Sequence, residues 1–281
     1  MFDMILDFAR QDERIRVVAM NGSRANPNAP RDSFQDYDIV YVVTEMASYL
    51  ADDAWLEVFG RRVIMQKPDD MELFPSDDRS RFGYLMQFED GNRIDLTLLP
   101  LQELEIYLKE DSMLRVLLDK DGRVPALPES SDKDYWIKRP TPGMFDDCCN
   151  EFWWLSTYVA KGLARDELPY AIAHLDYMRN SLMTMLSWQV GLEKGFTFSI
   201  GKQFKYLQRH ISDTAWQRLC ATWNAANPDA CKKALEGMLA LFREVSKDVA
   251  VRFGYSYPDY DDKVSRFLGE LGMTTLTSGG D

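Results

Sequence analysis

The sequence predicts an α+β protein in two parts, a mixed β-sheet with flanking helices followed by an all-helical bundle. Three observations carry this prediction. Up to about residue 120 the apolar residues alternate between strand and helix periodicities, and after about residue 142 only the helical period remains. Between them, residues 119–142 (DKDGRVPALPESSDKDYWIKRPTP) are rich in Pro, Asp and Ser and interrupt all periodicity, as a linker or cover would. The boundaries read from these shifts are 1–135 for the sheet part, 136–272 for the helical part and 273–281 for a disordered tail.

In chain order, FDMILDFAR (2–10) has helical spacing and IRVVAM (15–20) reads as a short buried strand. YDIVYVVT (37–44) is apolar on both faces, which only a central strand requires. RRVIMQ (61–66), FGYLMQFE (82–89) and RIDLTLLP (93–100) are further strands, set off by turn-rich stretches such as PDDMELFPSDD and DGN. Helices are then expected at 144–165, 168–193, 200–211, 214–223 and 228–254. Pro169 and Pro228 stand in first-turn positions, where a missing N–H costs nothing. Most of the Trp, Tyr and Met residues of this half are expected as bundle core.

The bulk numbers exclude several classes. With 281 residues, 46% of them hydrophobic and 28% charged, the chain can bury a sizeable core. It has no run of about eighteen apolar residues, and the opening MFDMILDFARQDER lacks the basic start and cleavage site of a secretion signal, so the expected location is cytoplasmic, without a membrane partner. Cys148, Cys149, Cys220 and Cys231 match neither a zinc spacing nor a disulfide framework and are expected as reduced, buried fillers. His174 and His210 are too few for a zinc centre or a Ser-His-Asp triad and are expected to be structural. The net charge of −12 falls entirely in residues 1–134, which hold 28 acidic and 16 basic residues. Such a field repels nucleic acid and attracts cations, either metal ions or polyamine-like ligands.

One constellation carries chemistry. Asn21-Gly22-Ser23-Arg24-Ala25-Asn26 follows a strand, and Asp36-Tyr37-Asp38 opens the next. Residues two apart on a strand point the same way, so Asp36 and Asp38 converge. At about 4 Å and an effective dielectric near 20, two carboxylates repel by roughly 4 kcal/mol unless a proton or cation sits between them. Hard oxygens suit Mg²⁺, which binds through one or two carboxylates plus substrate phosphates. Asp95 is an acid inside the apolar strand RIDLTLL; if that strand neighbours the Asp38 strand, three carboxylates meet at one edge, the density that two divalent ions need. Gly22 permits close backbone approach, and Ser23 with adjacent N–H groups can hold a triphosphate. A Gly-Ser pair is usually just a turn and D-x-D usually surface charge, but the ordered combination describes a nucleotidyl-transfer site with one or two Mg²⁺ ions.

At these residues the chain resembles the nucleotidyltransferase superfamily and, within it, the aminoglycoside (streptomycin) 6-adenylyltransferases. Besides the segments above and Arg93-Ile94-Asp95-Leu96, the likeness rests on Glu151-Phe152-Trp153-Trp154, Tyr158-Val159-Ala160-Lys161-Gly162-Leu163 and Gly201-Lys202-Gln203-Phe204-Lys205-Tyr206-Leu207. It implies a nucleotidyltransferase-type sheet and transfer of AMP from ATP to a hydroxyl of an aminoglycoside, at the 6-position of streptomycin. It implies Asp36 and Asp38 as Mg²⁺ ligands, and Gly22, Ser23 and Arg24 at the nucleotide. Asp95 then either completes the metal site or takes the acceptor's proton, work worth typically 10²–10⁴-fold. Lys202, Lys205 and Tyr206 are implied as a segment closing over the triphosphate, with a solvated basic helix face as the plainer reading.

A hydrophilic polycation asks for carboxylates and an aromatic face, for which the candidates are Asp147, Glu151, Trp153, Trp154 and Asp176. Asp147 and Glu151 share a helix face, which Trp154 nearly joins and Trp153 does not; Asp176 has Arg179 at i+3 as an ordinary partner. Two other functions fit the same fold: transfer to another small molecule or a protein, and a nucleotide-binding regulatory or antitoxin-like module without turnover. Whether the enzyme acts as a monomer or a homodimer is open.

Overall fold

Helix α1 (Phe2–Gln11) buries Ile5 and Ala9 against a six-stranded sheet, the centrepiece of the first of two units, Met1–Asp134 and Tyr135–Asp281. The computed structural model describes residues 1–76 and 80–274. The sheet contains β1 (Ile15–Met20), β2 (Tyr37–Val43), β3 (Arg62–Gln66), β4 (Phe82–Phe88), β5 (Arg93–Pro100) and β6 (Arg115–Asp119) in the order β3-β4-β5-β2-β1-β6. Only β2 and β5 run parallel; the other neighbours are antiparallel. This is the mixed sheet of the predicted α+β class.

Two layers of unequal extent cover it. On one face Ile39, Tyr41, Tyr84, Met86, Ile94 and Leu96 pack beneath α1, the short helix α3 (Ala47–Ala51) and a 3₁₀ segment, Asp53–Phe59. On the other, Val17, Val40, Val42 and Leu99 pack against Leu104 and Tyr107 of α4 (Leu104–Glu110). β2 is therefore apolar on both sides, except where Asp38 begins the second face. The smaller layer contains no residue of β3 or β4. Helix α2 (Gly22–Ala25) is a single turn between β1 and β2. Strand β6 and helix α4 carried no sequence prediction: RVLLD is a five-residue edge strand and LEIYLKE a seven-residue helix, too short for either period to register.

The helical unit consists of α5 (Pro142–Ala164), α6 (Leu168–Lys194), α7 (Asp213–Ala221), α8 (Pro228–Phe253) and α9 (Tyr260–Glu270). Thr141, Ser212 and Asn227 cap α5, α7 and α8 by accepting backbone N–H bonds, which explains why those helices start where they do. Gly162 lets α6 come close to α5, since a Cβ there would lie 3.1 Å from Ala171. Phe152 and Phe242 stack at 3.7 Å in the core. The helix expected over 200–211 is instead two 3₁₀ turns, Lys202–Phe204 and Leu207–Arg209. Gly201, Gln203 and Phe204 all have positive φ, and the Tyr206 N–H returns to Ile200 O, so the chain loops where a helix would have risen. Of the expected tail, residues 275–281 lie outside the described residues. Cys220 is exposed, unlike the buried Cys149 and Cys231, and so departs from the expected fillers.

Arg243 on α8 makes a two-pronged ion pair with the buried Asp261 on α9, Nε to Oδ2 at 2.6 Å and a terminal nitrogen to Oδ1 at 2.5 Å. Removing one partner leaves a charge without its mate. Asp261→Ala is expected to destabilise the protein by about 2–4 kcal/mol, read from the midpoint of urea unfolding, and an unchanged midpoint would show that the pair contributes nothing.

Candidate active site

The parallel pairing of β2 with β5 sets Asp38 directly opposite Asp95. Side chains of paired residues share a face, and neighbouring strands lie about 4.8 Å apart, so the two carboxylates stand side by side on the face that also bears Val40 and Val42. Asp36, two residues earlier, is level with Arg93. The structure thus brings Asp36, Asp38 and Asp95 to one end of the β2–β5 pair, all three partly exposed.

Gly22 is built into this cluster. Its φ is +68°, and a Cβ on it would lie 2.6 Å from Asp38 Cγ, so only a bare backbone fits against that carboxylate. The Asn21 N–H donates to Asp38 O at 2.9 Å, and Gln35 Nε2 donates to Ser23 O at 3.1 Å, which ties the Gly-Ser turn to the start of β2. Arg24, expected on the nucleotide, braces the same junction. Its guanidinium donates to the carbonyls of Asp36 at 3.0 Å and Gln35 at 2.7 Å and lies 3.7 Å over the Tyr37 ring. Those contacts commit two of its donors to backbone and make it a positioning strut for Asp36.

Arg93 was quoted in the sequence motif but given no role, and it is the chief addition. It donates from Nε to Asp95 Oδ1 at 2.7 Å and from a terminal nitrogen to Asp95 Oδ2 at 2.9 Å, with Asp36 Oδ2 3.8 Å away. The hydrogen bond to Asp95 raises the guanidinium's pKa above its ordinary value, burial opposes this, and the charges of Asp95, Asp36 and Asp38 add to the rise. The signal was available, because Arg93 and Asp95 are two apart on a strand and share a face. Both Asp95 oxygens accept from Arg93, so Asp95 is held as a carboxylate of fixed orientation with a lone pair left on each oxygen. Among the described residues no group of three or more His, Cys, Asp or Glu is gathered to hold a metal ion. Asp36 and Asp38 alone fit Mg²⁺, which needs only one or two carboxylates when phosphates supply the rest.

The remaining candidates belong to the helical unit. Lys202 and Lys205 are exposed in the 3₁₀ loop, and two cations lie over the Tyr206 ring, Lys205 Nζ at 5.2 Å and the Arg209 guanidinium at 4.4 Å. Arg209 escaped the sequence reading, which took this loop for a helix. Asp147, Glu151 and Trp154 are exposed along α5. Trp153 is buried, edge-on to Phe242 at 6.2 Å, so it is a core residue and lines no cleft. Asp176 is exposed and ion-paired with Arg179, whose own Nε donates to Thr222 Oγ1 at 2.9 Å. An aromatic row continues from Trp154, whose Nε1 donates to Tyr158 OH at 3.0 Å, to His174 at 5.0 Å from the Tyr158 ring and on to Tyr177 at 5.8 Å. Among the described residues no helix is long and apolar enough to cross a membrane.

A mixed sheet with a parallel central pair, a glycine-serine turn and aspartates at one edge defines a nucleotidyltransferase. The chain belongs to the streptomycin adenylyltransferase family, whose model matches residues 1–271. It is 48% identical over 269 residues to an aminoglycoside 6-adenylyltransferase of Bacillus subtilis (strain 168), covering 95% of both chains. An aminoglycoside 6-adenylyltransferase of Campylobacter jejuni is 47% identical over 268 residues, covering 95% of this chain and 93% of its own length. Among solved structures, a crystal structure of an aminoglycoside 6-adenyltransferase from Bacillus subtilis matches with 44% identity, a TM-score of 0.50 and 98% coverage of each chain.

Gly22→Ala puts a methyl group onto Asp38 in a backbone conformation that L-residues disfavour. Turnover is expected to fall by about 10²-fold or more, as a small misplacement of reacting groups can, while circular dichroism keeps the wild-type spectrum. Wild-type turnover in this variant would mean that the Gly22–Asp38 approach does not position the site.

Proposed function

We propose that this enzyme transfers the adenylyl group of ATP to a hydroxyl of an aminoglycoside, that the acceptor is streptomycin at its 6-position, and that the reaction depends on Mg²⁺. The observation that carries the reading is the register of β2 on β5, which sets Asp38 beside Asp95 next to a glycine that fits only bare backbone. The family description and the names of the relatives supply the acceptor class.

Asp36 and Asp38 would hold Mg²⁺, which neutralises charge on the triphosphate. The Gly22-Ser23 turn offers backbone close to the same carboxylates, where phosphate oxygens can be received. Arg24 keeps Asp36 in place through the strand backbone. Asp95, its orientation fixed by Arg93, receives the proton of the attacking hydroxyl. The hydroxyl oxygen bonds to the α-phosphorus as the bond from that phosphorus to the bridging oxygen breaks, and pyrophosphate leaves with the electron pair. Holding the reactants in line supplies much of the rate, and no covalent enzyme intermediate is needed.

Pyrophosphate release, measured with ATP and Mg²⁺ over a panel of aminoglycosides, is expected with streptomycin and is expected to stop when EDTA removes the metal. Release that ignores EDTA would refute the metal dependence, and release confined to a different acceptor would refute the choice of drug. Asp38→Asn is expected to lower turnover at least about 10³-fold, or about 4 kcal/mol at 1.4 kcal/mol per tenfold, with the melting temperature held. A wild-type rate in that variant would remove Asp38 from the reaction. Expression in a susceptible bacterium should raise the streptomycin concentration needed to stop growth.

A further inference from the structure

Helix α4 reaches the Gly-Ser turn through one side chain. Tyr107 is buried at 6% in the smaller apolar layer, among Val17, Ala19, Val40 and Val42, on the face of the sheet that also bears Asp38 and Asp95. The Arg81 guanidinium, itself paired with Glu110 at 2.8 Å, lies 6.0 Å from the ring centroid. Only the hydroxyl leaves the layer. It donates to Asn21 Oδ1 at 2.5 Å, while Asn21 Nδ2 donates to Met113 O at 3.3 Å.

Chemistry settles the direction of both bonds. A backbone carbonyl cannot donate, so the amide nitrogen of Asn21 faces Met113, and its oxygen, which only accepts, faces Tyr107. Burial holds the phenol above its ordinary pKa, and it keeps its proton for this bond at neutral pH.

Asn21 is thereby gripped from two sides. Its side chain is held by α4 and by the turn before β6, whereas its backbone N–H donates to Asp38 O at 2.9 Å on β2. The next residue is Gly22, which lies so near the Asp38 carboxylate that a Cβ would stand 2.6 Å from Cγ. Any rotation of Asn21 therefore moves the Gly-Ser turn along that carboxylate. A core tyrosine needs only some acceptor for its hydroxyl, and a nearby backbone carbonyl would serve. Tyr41 shows this plainer arrangement, its hydroxyl donating to Ile5 O at 2.7 Å on α1. Tyr107 instead bonds the residue that joins the end of β1 to the turn.

We propose that Tyr107 is a positioning residue for the transfer: acting through Asn21, it fixes the Gly22-Ser23 turn against Asp38. The role rests on the function proposed above and adds to it a link from the packed layer to the reaction centre.

The test is a double-mutant cycle on Tyr107→Phe and Asn21→Ala. kcat is taken from pyrophosphate release at saturating streptomycin, ATP and Mg²⁺, and circular dichroism checks that each variant is folded at the assay temperature. Tyr107→Phe keeps the ring in its layer and removes only the hydroxyl. Its kcat is expected to fall at least about fivefold, the loss of one hydrogen bond that orders the site, while the KM for streptomycin stays within about twofold. In the Asn21→Ala background the same change is expected to lower kcat by less than about twofold, because the bond is already gone. A merely structural hydroxyl would lower the melting temperature and leave kcat alone, so a smaller fall in Tyr107→Phe overturns the role. A fall of twofold or more in the Asn21→Ala background overturns the path through Asn21. If the wild-type protein releases no pyrophosphate with any aminoglycoside, the proposed function itself fails and the role falls with it.

Discussion

The parallel contact between β2 and β5 is the constraint on which the site depends. In a sheet whose other neighbours are antiparallel, this single parallel pair sets Asp38 and Asp95 side by side at the same end. Side-chain direction repeats every two residues, so a slip of one residue would send one of the acids into the apolar layer under α1. The layer prevents it. Ile39, Tyr41, Ile94 and Leu96 are buried on the opposite face, and their burial fixes the register that aligns the acids. Core packing on one side of the sheet thus determines charge geometry on the other.

Three carboxylates gathered this closely repel, and the protein answers with its own cations. Arg93 binds Asp95 through two nitrogens and lies within 3.8 Å of Asp36, so part of the repulsion is offset within a single strand. Arg24 works differently, holding the backbone of Gln35 and Asp36 and covering Tyr37, which stiffens the segment that presents the acids. Gly22 completes the arrangement by letting backbone, and no side chain, lie against Asp38. The division of labour is physical: one arginine balances charge, the other sets position, and the glycine makes room.

The helical unit contributes two surfaces of contrasting chemistry. The loop after α6 carries an exposed Lys202 and sets Lys205 and Arg209 over the Tyr206 ring, while α5 and α6 carry Asp147, Glu151, Trp154, Tyr158, His174 and Tyr177. The first exists because positive φ angles at Gly201, Gln203 and Phe204 bend the chain into a loop. The second follows from ordinary helix geometry, which leaves every residue off the core stripe facing water. Trp153 and Trp154 show the rule at its sharpest, adjacent in sequence yet one buried at 1% and the other exposed at 56%.

Much of this was legible in the sequence because it is periodic or local. The two-part organisation, five of the six strands, the long helices and the shared face of Asp36 and Asp38 all follow from spacing, hydrophobic pattern and first-turn prolines. What the sequence could not supply were facts about partners far apart in the chain. It gave no pairing order, so the neighbourhood of Asp38 and Asp95 stood as a condition. The loop at 200–211 misled, since Gly201 looks tolerable in a helical pattern until its backbone angle is known. Short-range regularities are written residue by residue, whereas strand order and register are set by which apolar faces can be buried together, and only the folded chain decides that.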